Sequence, residues 1–358
     1  MINPFHPGPL ARALSTSFIT ATAAVLLAIP AASRAQSFPL FLTNGNNATV
    51  EEYGSSGGAG TTFASNGTTQ ALVSPTGLVF DSAGNLYVTS FSQDSVIKFA
   101  NLGGGVLSTT GSVFYQGSAL NSPEGVAIDS AGDLFVSNYA ATSGSYTIVK
   151  FAASGGIPTN TPTTFVNSTT NVSWNADASF GLGFDLAGNL YVNNSGNSTI
   201  TKFSITTGVI TGTTTFATST NGVNGPTGMT FDTAGDLFVS DGGSNSITKF
   251  TATGGVPSAA TGAVVISSNL STPAGLALDP SGNLYVANSG GTTIEEFANN
   301  GGTLSTTGTA FASGTAQGVN GPRDVAFNVV PEPGSAVLLA LGAAGILGWR
   351  RRRNGAAV

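Results

Sequence analysis

The chain has 358 residues, of which 8% are charged, with a net charge of −6, no cysteine and a single histidine, His6. The absence of cysteine excludes a disulfide framework and thiol catalysis. Between Gln36 and Val330 five bases (Lys98, Lys150, Lys202, Lys249 and Arg323) face sixteen acids, a body charge of −11 that excludes nucleic acid, whose phosphates need clustered Lys and Arg.

The first segment reads as an export signal. Arg12 precedes an apolar run from Phe18 to Ile29, and Ser33-Arg34-Ala35 follows as a small-x-small cleavage pattern. Residues 1–35 are therefore expected to be a signal peptide cut after Ala35. His6 leaves with it. The mature chain then has neither His nor Cys, so a Ser-His-Asp triad, a Cys-His pair or a His-ligated zinc centre cannot be built.

Next comes a repeat. Pro75 to Ser90 reads PTGLVFDSAGNLYVTS, and close copies begin at Pro123, Ser179, Pro226 and Pro273. The anchoring residues Asp81, Asp129, Asp185, Asp232 and Asp279 are spaced by 48, 56, 47 and 47 residues, a period that marks a repeat architecture. Each copy alternates apolar residues on both sides of Asp-x-x-Gly-Asn/Asp, the pattern of two strands and a tight turn. Gly84 supplies the positive φ, and Asp81 accepts hydrogen bonds from the turn amides. Because every aspartate is local to its own turn, a turn role is favoured over metal binding.

Two further patterns follow each hairpin. Val96-Ile97-Lys98-Phe99 returns at Ile148, Ile200, Ile247 and Ile294, and a strand around Val113-Phe114 returns at Phe165, Phe216, Val264 and Phe311. Four short strands per period make a propeller blade. The lysines are expected at solvated outer-strand positions that discourage edge pairing. Leu40 to Tyr53 aligns with Leu284 to Phe297, and the missing first strand stands at the other end, Pro322 to Asn328. The fold class expected for 36–329 is thus all-β, a six-bladed β-propeller of four-stranded blades with one blade split between the termini.

The last segment, 330–358, has three parts. Val330-Pro331-Glu332-Pro333 is followed by an apolar stretch from Ala336 to Trp349 and by Arg350-Arg351-Arg352-Arg353. A basic cluster at one end of a hydrophobic segment places that end in the cytoplasm and the body on the other side. The stretch is short for a span of about 20 residues. This order resembles the PEP-CTERM sorting signal. The resemblance implies an exosortase-type partner, cleavage near Pro331-Glu332-Pro333, and transfer from the periplasmic side of the inner membrane to the cell surface or matrix.

The repeats, through Pro-x-Gly, Asp-x-x-Gly-Asn/Asp-Leu-Tyr/Phe-Val and Ile-x-Lys-Phe, resemble the NHL propellers and more loosely the gluconolactonases and streptogramin lyases. The lyases depend on histidine, which the mature chain lacks. The gluconolactonase likeness implies an oxygen-ligated metal at the channel, and Glu124, Asn194 and Asp241 are of the right types for calcium.

A binding face is expected opposite the Asp turns, where the Pro-x-Gly loops meet the ends of the second strands. It would comprise Glu124, Asn138, Asn194, Asp241, Asn288 and Arg323. The longer 56-residue step adds Tyr139, Trp174 and Asp177, aromatic insertions on a rigid scaffold. The function expected is a non-catalytic binding module for a surface polysaccharide or matrix protein. The alternative is a metal-dependent gluconolactonase-like hydrolase.

Overall fold

The computed structural model describes residues 38–66, 72–139, 146–167 and 181–329. The expected signal peptide, the sorting tail, Trp174 and Asp177 lie outside the described residues.

The repeat folds into six four-stranded antiparallel blades. Blade one comprises Pro75–Phe80, Leu86–Ser90, Ser95–Phe99 and Ser112–Gln116. Blades two to five begin at Pro123–Ile128, Leu182–Phe184, Pro226–Phe231 and Pro273–Leu278. Blade six is the split one. Its first strand, Pro322–Phe327, pairs antiparallel with Leu40–Asn44, Leu40 opposite Phe327 and Leu42 opposite Val325. Thr49–Tyr53 and Thr61–Ser65 complete it. This pairing closes the ring and removes two open sheet edges.

Strand alternation explains how blades pack on one another. In Leu86–Ser90, Leu86 and Val88 join the apolar cluster shared with blade six, whereas Tyr87 joins the cluster shared with blade two. Six such clusters fill the six seams between neighbouring blades. Aromatic rings dominate them: Tyr87 meets Phe114 edge-on at 5.1 Å, and Tyr191–Phe216 and Tyr285–Phe311 repeat the contact at 5.0 Å.

The lysines depart from expectation. They stand on third strands, not edges, because the fourth strand pairs outside them. Lys98, Lys150, Lys202 and Lys249 lie over the rings of Tyr87, Phe135, Tyr191 and Phe238 at 5.0–5.4 Å. Lys150 and Lys249 also pair with Asp133 and Asp236, at 2.5 and 2.7 Å. Their stems pack on aromatic surface and their charges are neutralised locally.

Candidate binding face

The two faces of the disc are built by different devices. On one face the Asp turns share one amide-bonded scaffold. Asp81 Oδ1 accepts the amides of Ala83 and Asn85 at 3.0 and 2.8 Å, and Oδ2 accepts Asn85 Nδ2 and the Tyr87 hydroxyl at 2.7 and 3.2 Å. The two amide bonds recur at Asp129, Asp185, Asp232 and Asp279. Gly84 has φ 79°, a conformation a side chain would strain. The acidic partner and burial drive the Tyr87 phenol well above its ordinary pKa, burial being the larger cause. These aspartates are turn residues, as their sequence setting indicates.

On the opposite face, the last residue of the second strand fastens the loop entering its own blade in blades one, two, four, five and six. Asn138 Oδ1 accepts the Asn121 amide at 3.1 Å, and its Nδ2 donates to Ala119 O and Thr147 Oγ1. Asn288 does the same with Ser271, Asn269 and Thr293. Asp241 Oδ1 accepts the Asn224 amide at 3.0 Å, and Oδ2 accepts the Thr248 hydroxyl at 2.6 Å. Burial raises the Asp241 carboxyl to a pKa of about 6 against the pull of those two bonds. Asn194 Nδ2 donates to Thr199 and Thr201. All four side chains are buried. Strand alternation turns Asn138, Asp241 and Asn288 back under the loop rather than out to the mouth.

The penultimate residue points the other way, across the seam. Thr43 Oγ1 donates to Thr76 O at 2.6 Å, Thr89 to Glu124 O at 2.8 Å, Asn193 to Thr227 O at 3.0 Å and Ser240 to Ala274 O at 2.5 Å. These bonds tie blade to blade around the channel, which has a volume of about 630 Å³.

Three charged groups line that channel: Glu124, Arg323 and Asp324. Glu124 is buried, and Arg323 is exposed. Asp324 stands where the other blades carry Gly77, Gly125, Gly181, Gly228 and Gly275. Its Oδ2 accepts the Leu78 amide of blade one and its Oδ1 the Val325 amide, both at 3.0 Å. Burial lifts its carboxyl to a pKa of about 7 although both amides favour the charged form. A Cβ on Gly275 would collide with this carboxylate, so blade five must carry glycine there.

Tyr139 follows Asn138 at the same face. Its amide donates to Ser122 O at 3.0 Å, and its ring lies 6.0 Å from Phe91, tilted by 36°. Both rings are half-buried. Phe91 and Asp324 were not among the residues expected from sequence. Asp324 is readable as a break in Pro-x-Gly, and Phe91 as the copy-one counterpart of Tyr139, since each follows the last residue of its second strand.

The structure does not place the three expected calcium ligands together on the channel lining. Glu124 lines the channel, but neither Asn194 nor Asp241 does. Both Asp241 oxygens are held by internal donors. Among the described residues, no three acidic or histidine side chains stand close enough to hold a metal.

Residues 329–353 match the PEP-CTERM protein-sorting motif. The motif implies export, membrane-associated sorting and processing by an exosortase-type enzyme. No curated protein matches the chain. Among solved structures, the nidogen/laminin complex contains a chain that superposes with a TM-score of 0.58 and 18% identity, covering 82% of this chain and 98% of that one. A putative 6-phosphogluconolactonase from Bacteroides uniformis gives 0.52 and 15% over 81% and 99%. A gluconolactonase from Xanthomonas campestris gives 0.50 and 17% over 66% and 78%. At these identities the likeness shows a shared fold alone, and a propeller hosts many unrelated sites.

Proposed function

We propose that the protein is an exported propeller that works at the cell surface or in the extracellular matrix as a non-catalytic binding module. In this reading it waits on the periplasmic side of the inner membrane until its tail is removed. The observation that supports it best is the contrast on the loop face. There the amides and Asp241 are used to fasten loops, while the Tyr139–Phe91 pair stands half-exposed at the surface. Half-exposed aromatic rings give a rigid, flat anchor for a surface polysaccharide or a matrix protein. Trp174 and Asp177, in the longer segment before Asp185, are further candidate contacts of this module. Arg323 supplies the face's cation.

The test is binding of the mature protein to isolated surface-polysaccharide and matrix-protein fractions. Tyr139→Ala and Trp174→Ala should each weaken binding about tenfold, a loss typical of an aromatic anchor, with unchanged melting. Full binding by both variants would move the site elsewhere. The same preparation tests the rival hydrolase. A metal present at 100 times its dissociation constant adds about 2.7 kcal/mol to stability. Melting in chelator and in millimolar calcium should therefore coincide. A calcium-dependent gain that Glu124→Gln abolishes, together with lactone hydrolysis, would make the metal-dependent gluconolactonase-like reading the better one.

A further inference from the structure

The apolar side chains that the body leaves in water are not spread evenly. Among the described residues, eight large hydrophobic side chains are exposed. Six of them, Leu102, Val106, Ile157, Leu186, Val209 and Val329, sit on the Asp-turn face. Val113 and Val264 lie on fourth strands at the rim, and none of the eight lies on the loop face.

The placement follows from the topology. Third strands end on the Asp-turn face, since Phe99 pairs with Leu86, the first residue after the turn. The loops from third to fourth strands therefore emerge there. Leu102 and Val106 occupy that loop in blade one, exposed to 70% and 61%. In blades two and three the two strands run on as long hairpins, Thr147–Ser154 with Ile157–Asn167 and Thr199–Thr206 with Val209–Ala217. Ile157 and Val209 stand at their tips. Leu186 lies in the Asp185 turn, and its amide reaches Gly255 O of blade four. A tight hairpin tip needs no apolar residue, and the tips are otherwise Gly, Ser and Thr.

Both chain ends leave from this same face. Asn328 donates its amide to Pro39 O, so the body begins and ends on the Asp-turn side. Val329 then leads into the sorting tail. Six residues separate it from Ala336, where the apolar stretch begins. At about 3.5 Å per residue that link reaches about 25 Å. A blade strand of six residues is itself about 20 Å tall. The link is too short to pass around the disc and present the loop face to the bilayer that holds the tail.

We infer that the Asp-turn face is a membrane-facing surface, on which these apolar side chains rest against the lipid interface while the tail is still attached. The occupant is a bilayer surface of zwitterionic lipid. A body charge of −11 disfavours anionic headgroups, so attachment depends on the apolar tips. The arrangement leaves the loop face turned outward, available to a partner before processing.

The absence of cysteine makes the test direct. Single variants Leu102→Cys, Val209→Cys, Ser92→Cys and Ser244→Cys of the chain with its tail attached carry an environment-sensitive fluorophore. Each is reconstituted into phosphatidylcholine vesicles with and without spin-labelled lipid. Quenching at 102 and 209 should exceed that at 92 and 244 by at least threefold. Adding Leu186→Ser and Ile157→Ser to the Val209→Cys variant should reduce its quenching, with melting unchanged. Equal quenching on the two faces would overturn the inference. So would probes at 102 and 209 that become shielded without lipid as protein concentration rises, which would identify a second copy as the occupant.

Discussion

Seam four–five and seam five–six join neighbouring blades of one repeat, yet they are held differently. In the first, Ser240 Oγ accepts the Gly228 amide at 2.7 Å and donates to Ala274 O at 2.5 Å, locking a loop and two blades with one hydroxyl. In the second, Ala287 occupies the Ser240 position, fully buried and without a polar atom. The seam beside the split blade thus lacks the hydroxyl bridge. It relies on apolar contact of Leu40, Leu42 and Val325 with Tyr285 and Ile294. Blade six compensates on its other side, where Asp324 bridges to Leu78 of blade one. Closure by two chain ends therefore rests on strand pairing and packing more than on the repeat's own polar network.

The harshest way to break this comparison is to remove the closing strand. Truncation before Val319 deletes Pro322–Phe327 and leaves Leu40–Asn44 as an open edge whose cluster loses Val325 and Phe327. The expected outcome is aggregation or loss of cooperative melting, read by size-exclusion chromatography and calorimetry. A monomer with the wild-type melting temperature would show that blade six is dispensable for closure.

Ser240→Ala makes seam four–five resemble seam five–six. It strips the acceptor from a buried amide and the donor from a partly buried carbonyl, so it should cost about 2 kcal/mol in denaturant unfolding. A loss below about 0.5 kcal/mol would mean that the hydroxyl ring adds nothing to what packing already holds.

A smaller effect comes from two aspartates that break the repeat, Asp241 in an asparagine position and Asp324 in a glycine position. The carboxyls of Asp241 and Asp324 are raised to about 6 and about 7, mainly by burial. Since an unfolded Asp titrates near 3.9, the folded state holds these protons longer. Their stabilising contribution is present below about pH 4 and is lost as pH rises through 6 and 7. Asp241→Asn should therefore gain about 1–2 kcal/mol over wild type at pH 8 and nothing at pH 4. The amide can keep the clamp, as Asn138 and Asn288 do. Melting curves at the two pH values that shift in parallel for both proteins would count against burial as the cause.

The repeat made the blades, the split blade and the Asp turns legible, because period and turn chemistry are written locally. The use of side chains at the strand ends was not. Asn138, Asn288 and Asp241 lie at the edge of the mouth in sequence order, but strand alternation turns them beneath their own loops. Which loop amide each satisfies depends on the fold of a segment some 17 residues upstream. Asp324 was visible as a carboxylate in a glycine position. Its contact with Leu78, 246 residues away, was not, since nothing local specifies which blade closes on which. The aromatic partner of Tyr139 likewise comes from a neighbouring blade.

The gentlest intervention sharpens the comparison from the opposite side. Ala287→Ser would place a hydroxyl where Ser240 has one, facing the next blade across the seam. In blade four the hydroxyl takes the amide of its own Gly228 and gives its proton to Ala274 O. By the same geometry the hydroxyl introduced at position 287 would take the Gly275 amide and donate to Arg323 O. The added oxygen is buried with both bonds made, so the expected gain is about 0.5–1 kcal/mol, the net value of a satisfied hydrogen bond. One competing effect acts at this site alone. The Asp324 carboxylate fills the space beside Gly275 that blade four leaves to Gly275 itself. If crowding there dominates, the variant will lose stability in denaturant unfolding. Adding Asp324→Gly, which restores the repeat's residue and frees that space, should then convert the loss into a gain. A double variant no more stable than Asp324→Gly alone would show that the missing hydroxyl is not what distinguishes the two seams.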